Sequence, residues 1–269
     1  MKNRLQHLLG ELDALERSAR TESPMHRLDA RAKLLATTAY LAAMLSLPLS
    51  RLSEILLCAL FPKIGAAMGG MRLGPLVRRS LAVLPFVALI GIFNLLAHRT
   101  PALRIGPLTV TEGGIEYAAI LLRGILSLAA LLVLIGTTGF YPLCRAMQRL
   151  GIPRFLTVQL LFVYRYLRML LDEALCMMRA CEDRSYGRRH LPLRVWGTLT
   201  GQLLLRTFAR AEQIHRAMLA RGFTGRIPDC TTARPRWRRT DTLFLAGWSL
   251  ALLLMRLTSP AETLTRLLL

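Results

Sequence analysis

The chain is 269 residues long and 53% hydrophobic, with a mean hydropathy of +0.40 and a net charge of +20 from 36 Lys and Arg against 16 Asp and Glu. A basic soluble domain would suggest nucleic acid, but such domains are seldom this apolar; high hydropathy with many arginines fits a polytopic membrane protein whose positive charge faces the cytoplasm. The odd number of cysteines (Cys58, Cys144, Cys176, Cys181 and Cys230), with no Cys-x-x-Cys, argues against a disulfide framework or a zinc site.

The N-terminal segment, 1–33, is polar and amphipathic ("QHLLGELDALERSAR") and has no apolar core of a cleaved signal peptide. Five segments then approach the roughly 20 apolar residues that a bilayer span needs. They are 34–50, 54–69, 81–97, 116–138 and 242–257. The second is interrupted by Pro62 and Lys63, so a kink or tilt is expected there. With the N-terminus inside and the spans alternating, 29 of the Lys and Arg fall on inside segments, 4 on outside segments and 3 within spans. The bias agrees at every crossing, so five spans with a cytoplasmic N-terminus are predicted. A sixth span would need another clean apolar run inside 139–241, and none is seen.

Arg123 lies in the middle of the fourth span. A charge at that depth is costly and faces the protein interior, either as half of a structural pair or as a functional group. Both readings stand at this point. Glu116, two turns away, lies near the interface.

Residues 139–241 are too charged to span a bilayer and too apolar for a disordered loop. They are predicted to form a cytoplasmic module. A short helix over about 142–150 ends at Gly151. Pro153 and Pro192 then sit near the starts of two long helical patterns, 155–185 and 193–222. In the first, Leu160, Val163, Leu167, Leu170, Leu171, Ala174, Leu175 and Met178 recur at three- and four-residue steps, which predicts a wide apolar stripe. Arg168/Asp172 and Glu212/Arg216 are spaced to support these helices as i,i+4 pairs. Each helix would be about 45 Å long at 1.5 Å per residue. The run "RPRWRR" (234–239) precedes the last span and reads as a positive-inside anchor, with Trp237 at the interface, rather than as a lipid-specific site.

Both long patterns end in an arginine set among small residues, with an aromatic and a glycine close behind: "ACEDRSYG" (180–187) and "AMLARGFTG" (217–225). One reading makes Arg184 and Arg221 cations favoured by the helix C-terminal dipole, with Gly222 ending the second helix. The other makes them docking groups. Small neighbours let a partner's backbone come close, and a guanidinium fork binds carboxylates or carbonyls bidentately. The residues alone do not choose between the two.

The histidines are scattered singly, and "EQIHRAM" has one histidine where a zinc protease helix needs two. There is no Gly-x-x-x-x-Gly-Lys-Ser/Thr phosphate loop, no nucleophile elbow and no plausible carboxylate pair. No catalytic residue, cofactor site or metal site is therefore assigned, and the chain is not expected to be an enzyme.

Several stretches together resemble one family. "SPMHRLDARAKLL" (23–35), "GIFN" (91–94), "TTGF" (137–140), "RLGIP" (149–153), "LLFVYRYL" (160–167), "DEAL" (172–175), "RSYGRR" (184–189) and "HRAMLARGF" (215–223) resemble the transmembrane T components of energy-coupling factor (ECF) transporters. The likeness is greatest to the cobalt-type, CbiQ-like subgroup and covers about 23–226. The resemblance implies an all-α polytopic membrane protein with two long crossing coupling helices. Such a scaffold, in the inner (plasma) membrane, joins two cytoplasmic ABC ATPases to a substrate-binding S component (CbiM-like), with room for a small accessory membrane subunit. ATP would be bound by the ATPases only. The implied domains are the 1–33 segment, a four-span membrane domain at 34–138, a coupling module at 139–241, a last transmembrane helix at 242–257 and a tail at 258–269.

The resemblance also assigns ATPase docking to Ala220, Arg221 and Gly222, which match the family's Ala-Arg-Gly helix end directly. Arg184 and Ser185 match less closely, because Asp183 precedes them and Cys181 stands where another arginine is common. Ala30 replaces the proline of the entry motif. Cobalt is the implied substrate, with nickel or a vitamin as alternatives. A membrane scaffold without transport, a nucleic-acid-binding membrane protein and a self-sufficient transporter are the competing readings. Acidic residues interleaved through the basic module, and the lack of any nucleic-acid-binding motif, weigh against nucleic acid as a partner.

Overall fold

The computed structural model describes residues 10, 23–48, 52–71, 73–97, 101–105, 108–185, 192–225 and 237–258. Most of the amphipathic N-terminal segment, the tail beyond 258, Cys230 and residues 186–189 of "RSYGRR" lie outside them. The chain forms two compact units, one of residues 17–143 with 235–269 and the other of residues 1–16 with 144–234.

The first unit opens with a 3₁₀ turn, Pro24–Arg27, followed by α1, Ala30–Ser46. The helix begins four residues before the predicted span because Asp29 is its N-cap and accepts the Arg31 amide at 3.0 Å. The segment predicted as a second span is two helices, α2 (Leu52–Leu57) and α3 (Leu60–Met68). The break at Cys58–Ala59 comes just before Pro62, which then falls in the first turn of α3, where its missing N–H has no intrahelical acceptor to serve. Next come α4 (Leu73–Leu81) and α5 (Leu84–Ala97), with Pro85 in the first turn of α5.

Residues 101–105 and 108–111, within a segment read as an outside loop, depart from the all-α expectation. They form an antiparallel hairpin of β1 (Pro101–Ile105) and β2 (Leu108–Thr111), with Arg104 opposite Thr109 and a register shift between Pro101 and Leu103. The β-branched run Thr109, Val110, Thr111 suits a strand, and a proline is tolerated as the first residue of one. The unit is completed by α6 (Glu112–Thr138) and α10 (Arg239–Thr258). The helix α7 (Phe140–Arg149) contains the boundary between the units.

The helix directions follow from the contacts. The amide of Asp29 at the start of α1 donates to Asp241 in the first turn of α10 at 2.9 Å, so α1 and α10 run parallel. Lys33 Nζ donates to the carbonyl of Thr137 near the end of α6 at 3.0 Å, and Arg123 in α6 donates to the carbonyl of Leu47, just past α1, at 2.7 Å. Thus α6 runs antiparallel to α1. Gly91 of α5 packs under Tyr117, and Gly124 of α6 under Val87, so α5 and α6 are antiparallel as well. A Cβ on Gly65 of α3 would lie 2.9 Å from Val133, and one on Gly69, the C-cap of α3, 2.6 Å from Thr137, which makes α3 parallel to α6 and requires glycine at both places. These relative directions are the ones that strict alternation of the five predicted spans demands.

The core follows from three- and four-residue steps. Ala36, Tyr40 and Met44 of α1 meet Ile55, Cys58 and Phe61, and Ala119, Leu126 and Ala130 of α6. Tyr40 stacks on Phe61 with ring centroids 4.3 Å apart, and Trp248 of α10 meets Phe61 edge-on at 4.7 Å. The Tyr40 hydroxyl donates at 3.1 Å to the Cys58 carbonyl at the α2–α3 break, which also accepts the Phe61 amide at 3.2 Å. Among the described residues, Gly113–Thr138 alone is a single helix long and apolar enough to cross a bilayer; Gly74–Leu81 and Leu84–Ile92 would make another if taken together across their 42° bend.

In the second unit, α8 (Arg154–Arg184) and α9 (Leu193–Ala220) follow the predicted bounds closely, with Pro153 and Pro192 as their N-caps. The predicted stripe on α8 divides. Leu175 and Met178 are buried, but Leu160, Val163 and Leu167 are exposed, and Thr157 and Leu161 are buried instead. Helix α9 buries no residue, and Leu193, Leu204, Leu205, Phe208 and Leu219 are exposed along it.

Candidate functional site

The two long helices are antiparallel. Glu173 of α8 accepts from Arg206 of α9 at 2.7 Å and has Arg210 at 3.9 Å, while Phe162 near the start of α8 contacts Phe223 just past α9 at 6.2 Å between centroids. Arg221 therefore lies beside the beginning of α8, whereas Arg184 ends α8. The stretch from Phe162 to Arg184 is about 33 Å of helix at 1.5 Å per residue. The structure does not gather the predicted site residues into one pocket; it places one arginine end at each extremity of the helix pair. Glu212 and Arg216 form the predicted i,i+4 pair. The Glu173 bridge between helices has no such signature, because its partners lie in another element.

The two ends are built differently. At the end of α9 the chain closes on itself by backbone alone. The Phe223 amide donates to the Met218 carbonyl at 3.0 Å, the Gly222 amide to the Leu219 carbonyl at 2.9 Å, and Gly222 takes a φ of +76°. This is a Schellman closure, and the left-handed φ is the reason glycine stands there. The Arg221 amide is also used, on Ala217 and Met218. At the end of α8, both the amide and the hydroxyl of Ser185 bond the Glu182 carbonyl, at 3.1 and 2.8 Å. Neither end needs its arginine side chain as a cap. Arg184 and Arg221 are exposed, and among the described residues neither guanidinium has a hydrogen-bond or ion-pair partner. Ala220 and Gly222 are exposed as well.

The asymmetry between the ends has an electrostatic side. Arg184 follows the exposed acids Glu182 and Asp183, whereas Arg221 follows Met218, Leu219 and Ala220. The second end presents a bare cation flanked by small or apolar residues. Exchanging Gly222 for Ala isolates the backbone contribution. A Cβ there would meet nothing within 4 Å, so only the left-handed φ opposes it. The expected cost is about 1 kcal/mol, read as about fivefold faster exchange of the Phe223 amide hydrogen. An unchanged rate would mean that the closure is not formed in solution.

Arg123 is not at either end. Its guanidinium donates to the Leu47 carbonyl, the C-cap of α1, where a cation also meets the negative end of that helix. Its Nε is buried without a hydrogen bond. The position suits a charge that holds two helices of the first unit together.

One polar cluster was not apparent from the sequence. Asp241, 1% exposed, accepts the Asp29 amide on one oxygen and the Arg238 amide on the other, at 2.9 and 2.7 Å. Asp29 and Arg238 are the N-cap residues of α1 and α10, so a single carboxylate holds the starts of both helices. Lys33 is buried one turn below, on the Thr137 carbonyl. Burial pushes its ammonium down to about 8, while the charges of Asp241 and Asp29 act in the opposite direction. The sequence signal was slight: Asp241 is the one acid between the arginine run and the last apolar segment.

The model of the CbiQ family, described as cobalt transport protein, matches residues 21–231. A nickel permease, LarQ, from Lactiplantibacillus plantarum is 36% identical over 38% of this chain and 37% of its own length. The energy-coupling factor transporter transmembrane protein EcfT of Heliobacterium modesticaldum is 30% identical over 76% of this chain and 81% of its own length. The cobalt transport protein CbiQ of Salmonella typhimurium is 36% identical over 34% of this chain and 41% of its own length. The matched part thus spans less than half of LarQ and CbiQ but most of EcfT.

Proposed function

This chain belongs to the CbiQ cobalt transport protein family, whose members are membrane components of transporters, and we propose that it is the scaffold subunit of an ECF-type importer. In this reading it is multi-pass, with five spans and a cytoplasmic N-terminus, in the inner (plasma) membrane. The parallel and antiparallel pairings of α1, α3, α5, α6 and α10 support that topology, together with the charge bias. Two ABC ATPases bind the cytoplasmic helix ends and supply the ATP site, so this chain carries no cofactor of its own. A separate membrane S component binds the substrate. Closing and opening of the ATPase pair moves α8 and α9, and the helices tilt or release the S component.

The observation that carries this reading is the pair of exposed arginines, without a partner among the described residues, at opposite extremities of two antiparallel helices, which this reading gives one to each ATPase. At the α9 end, Ala220 and Gly222 leave the backbone open to close approach, and the Arg221 fork is available for a carboxylate or carbonyl. At the α8 end, Arg184 and Ser185 play the same part more weakly. Cobalt is the proposed substrate on the strength of the family match; the likeness to a nickel permease supports nickel as the second reading. The test is reconstitution of uptake. Vesicles holding this chain alone should take up neither ion, whereas the chain with two ATPases and an S component should take up one of them in an ATP-dependent manner. Uptake by the chain alone would replace the scaffold reading with that of a self-sufficient transporter.

A further inference from the structure

Beside the Asp241 clamp the first unit has a cavity of about 540 Å³ that the transport reading does not use. Its polar side is made by Arg27, from the 3₁₀ turn before α1, and by Arg238 and Thr240 at the start of α10. Its apolar wall is made by Leu28, Met68 and Phe244. Sequence reading treats Arg238 only as one of a run of arginines, and Arg27 stands at the other end of the chain. The clamp brings them to one cavity, because Asp241 holds the Asp29 amide and the Arg238 amide together.

The charge at this cavity is not balanced locally. Both oxygens of Asp241 are taken by backbone amides. Asp29 accepts the Arg31 amide on one oxygen and faces the Arg31 guanidinium at 3.9 Å with the other. Lys33 is turned to Thr137, and His26 is engaged by the Ser23 hydroxyl at 2.6 Å. Arg27 and Arg238 are exposed, and among the described residues neither guanidinium has a partner. Two unneutralised forks at one cavity are suited to an oxyanion with several acceptor oxygens.

The apolar wall decides the kind of oxyanion. A water takes up about 30 Å³, so the cavity is far larger than a bare phosphate needs. Leu28, Met68 and Phe244 offer nothing to an inorganic ion, but they offer a surface to the first carbons of an acyl chain. Trp237, next to Arg238, is 40% exposed, as an aromatic at a membrane interface would be. We propose that this cavity binds the phosphate of one anionic phospholipid between Arg27 and Arg238, with its chains along Met68 and Phe244. Only the lipid as source rests on the membrane reading above; the arginine pair and the cavity do not.

The test uses the purified full-length chain in a neutral detergent and needs neither ATPases nor uptake, so it fails or succeeds independently of the transport assignment. Short-chain phosphatidylglycerol, phosphatidylcholine of the same chain length and inorganic phosphate are titrated in turn, read by native mass spectrometry and by thermal shift. One equivalent of phosphatidylglycerol is expected to bind saturably, at least tenfold tighter than phosphatidylcholine. Inorganic phosphate at millimolar concentration is expected to leave the melting temperature unchanged. Arg27→Gln with Arg238→Gln should weaken phosphatidylglycerol at least tenfold, while Arg239→Gln, which removes a neighbouring arginine outside the cavity, should leave it unchanged. Equal binding of the two lipids, wild-type affinity in the double variant, or an equal loss in Arg239→Gln would each overturn the site. A thermal shift with phosphate matching that with phosphatidylglycerol would overturn the lipid as its source.

Discussion

Replacing Arg221 with glutamate is expected to abolish ATP-driven uptake by the assembled transporter while leaving this chain folded. The side chain is exposed and has no partner among the described residues, and the helix end it sits on is closed by the amides of Gly222 and Phe223. Nothing within the described fold depends on the guanidinium, so its loss should change stability by no more than about 0.5 kcal/mol. In a docked complex the position is different. A charge-assisted contact desolvated between two proteins loses about 2–5 kcal/mol when one partner is removed, which is at least about thirtyfold in affinity. Glutamate adds repulsion to that loss. Arg221→Lys keeps the charge but not the planar fork and should fall between. Arg184→Glu should be milder, because Glu182 and Asp183 already offset the charge at that end. The measurements are co-purification of the ATPases and ATP-dependent uptake, each beside a melting curve of the isolated chain. Wild-type coupling in the Arg184→Glu, Arg221→Glu double variant would remove docking from both helix ends.

Replacing Asp241 with alanine should have the opposite profile, a loss of fold before any loss of contact with partners. The change strips the acceptor from two backbone amides, that of Asp29 in a buried setting and that of Arg238 in a partly buried one. Leaving such donors unpaired costs about 2–4 kcal/mol in total. It also removes the carboxylate that shares the buried environment of Lys33. Asp241→Asn retains one carbonyl oxygen and should lose about half as much. The comparison is made by thermal unfolding in detergent, where the alanine variant should melt well below the asparagine variant and the asparagine variant below wild type. An alanine variant that melts with the wild type would show that the clamp does not hold the two helix starts.

The long elements were legible because their signals are local. The ends of α8 and α9 follow from proline caps and from the arginine–small residue–aromatic–glycine order, and the structure moves them by two residues at most. The resemblance to the CbiQ family was legible for the same reason, since its motifs are contiguous stretches. Where the reading went astray, the deciding interaction lay elsewhere. The second predicted span breaks at Cys58–Ala59 and not at Pro62, because a proline in a first turn removes no helical bond. The stripe on α8 turns over partway, with Leu160, Val163 and Leu167 outward and Thr157 and Leu161 inward. A three-and-four periodicity predicts that a helix has an apolar face but not where that face is covered.

By itself, then, the sequence determined the class of protein and the bounds of the two long helices of the second unit. Each of these depends on composition or on neighbours a few residues apart. Only the tertiary structure decided which polar groups belong together. Asp29 and Asp241, Lys33 and Thr137, Arg123 and Leu47, and Glu173 and Arg206 are each separated by tens of residues or more. No spacing rule joins such pairs, because a hydrogen bond or ion pair is set by distance in space. Folding alone brings them within reach.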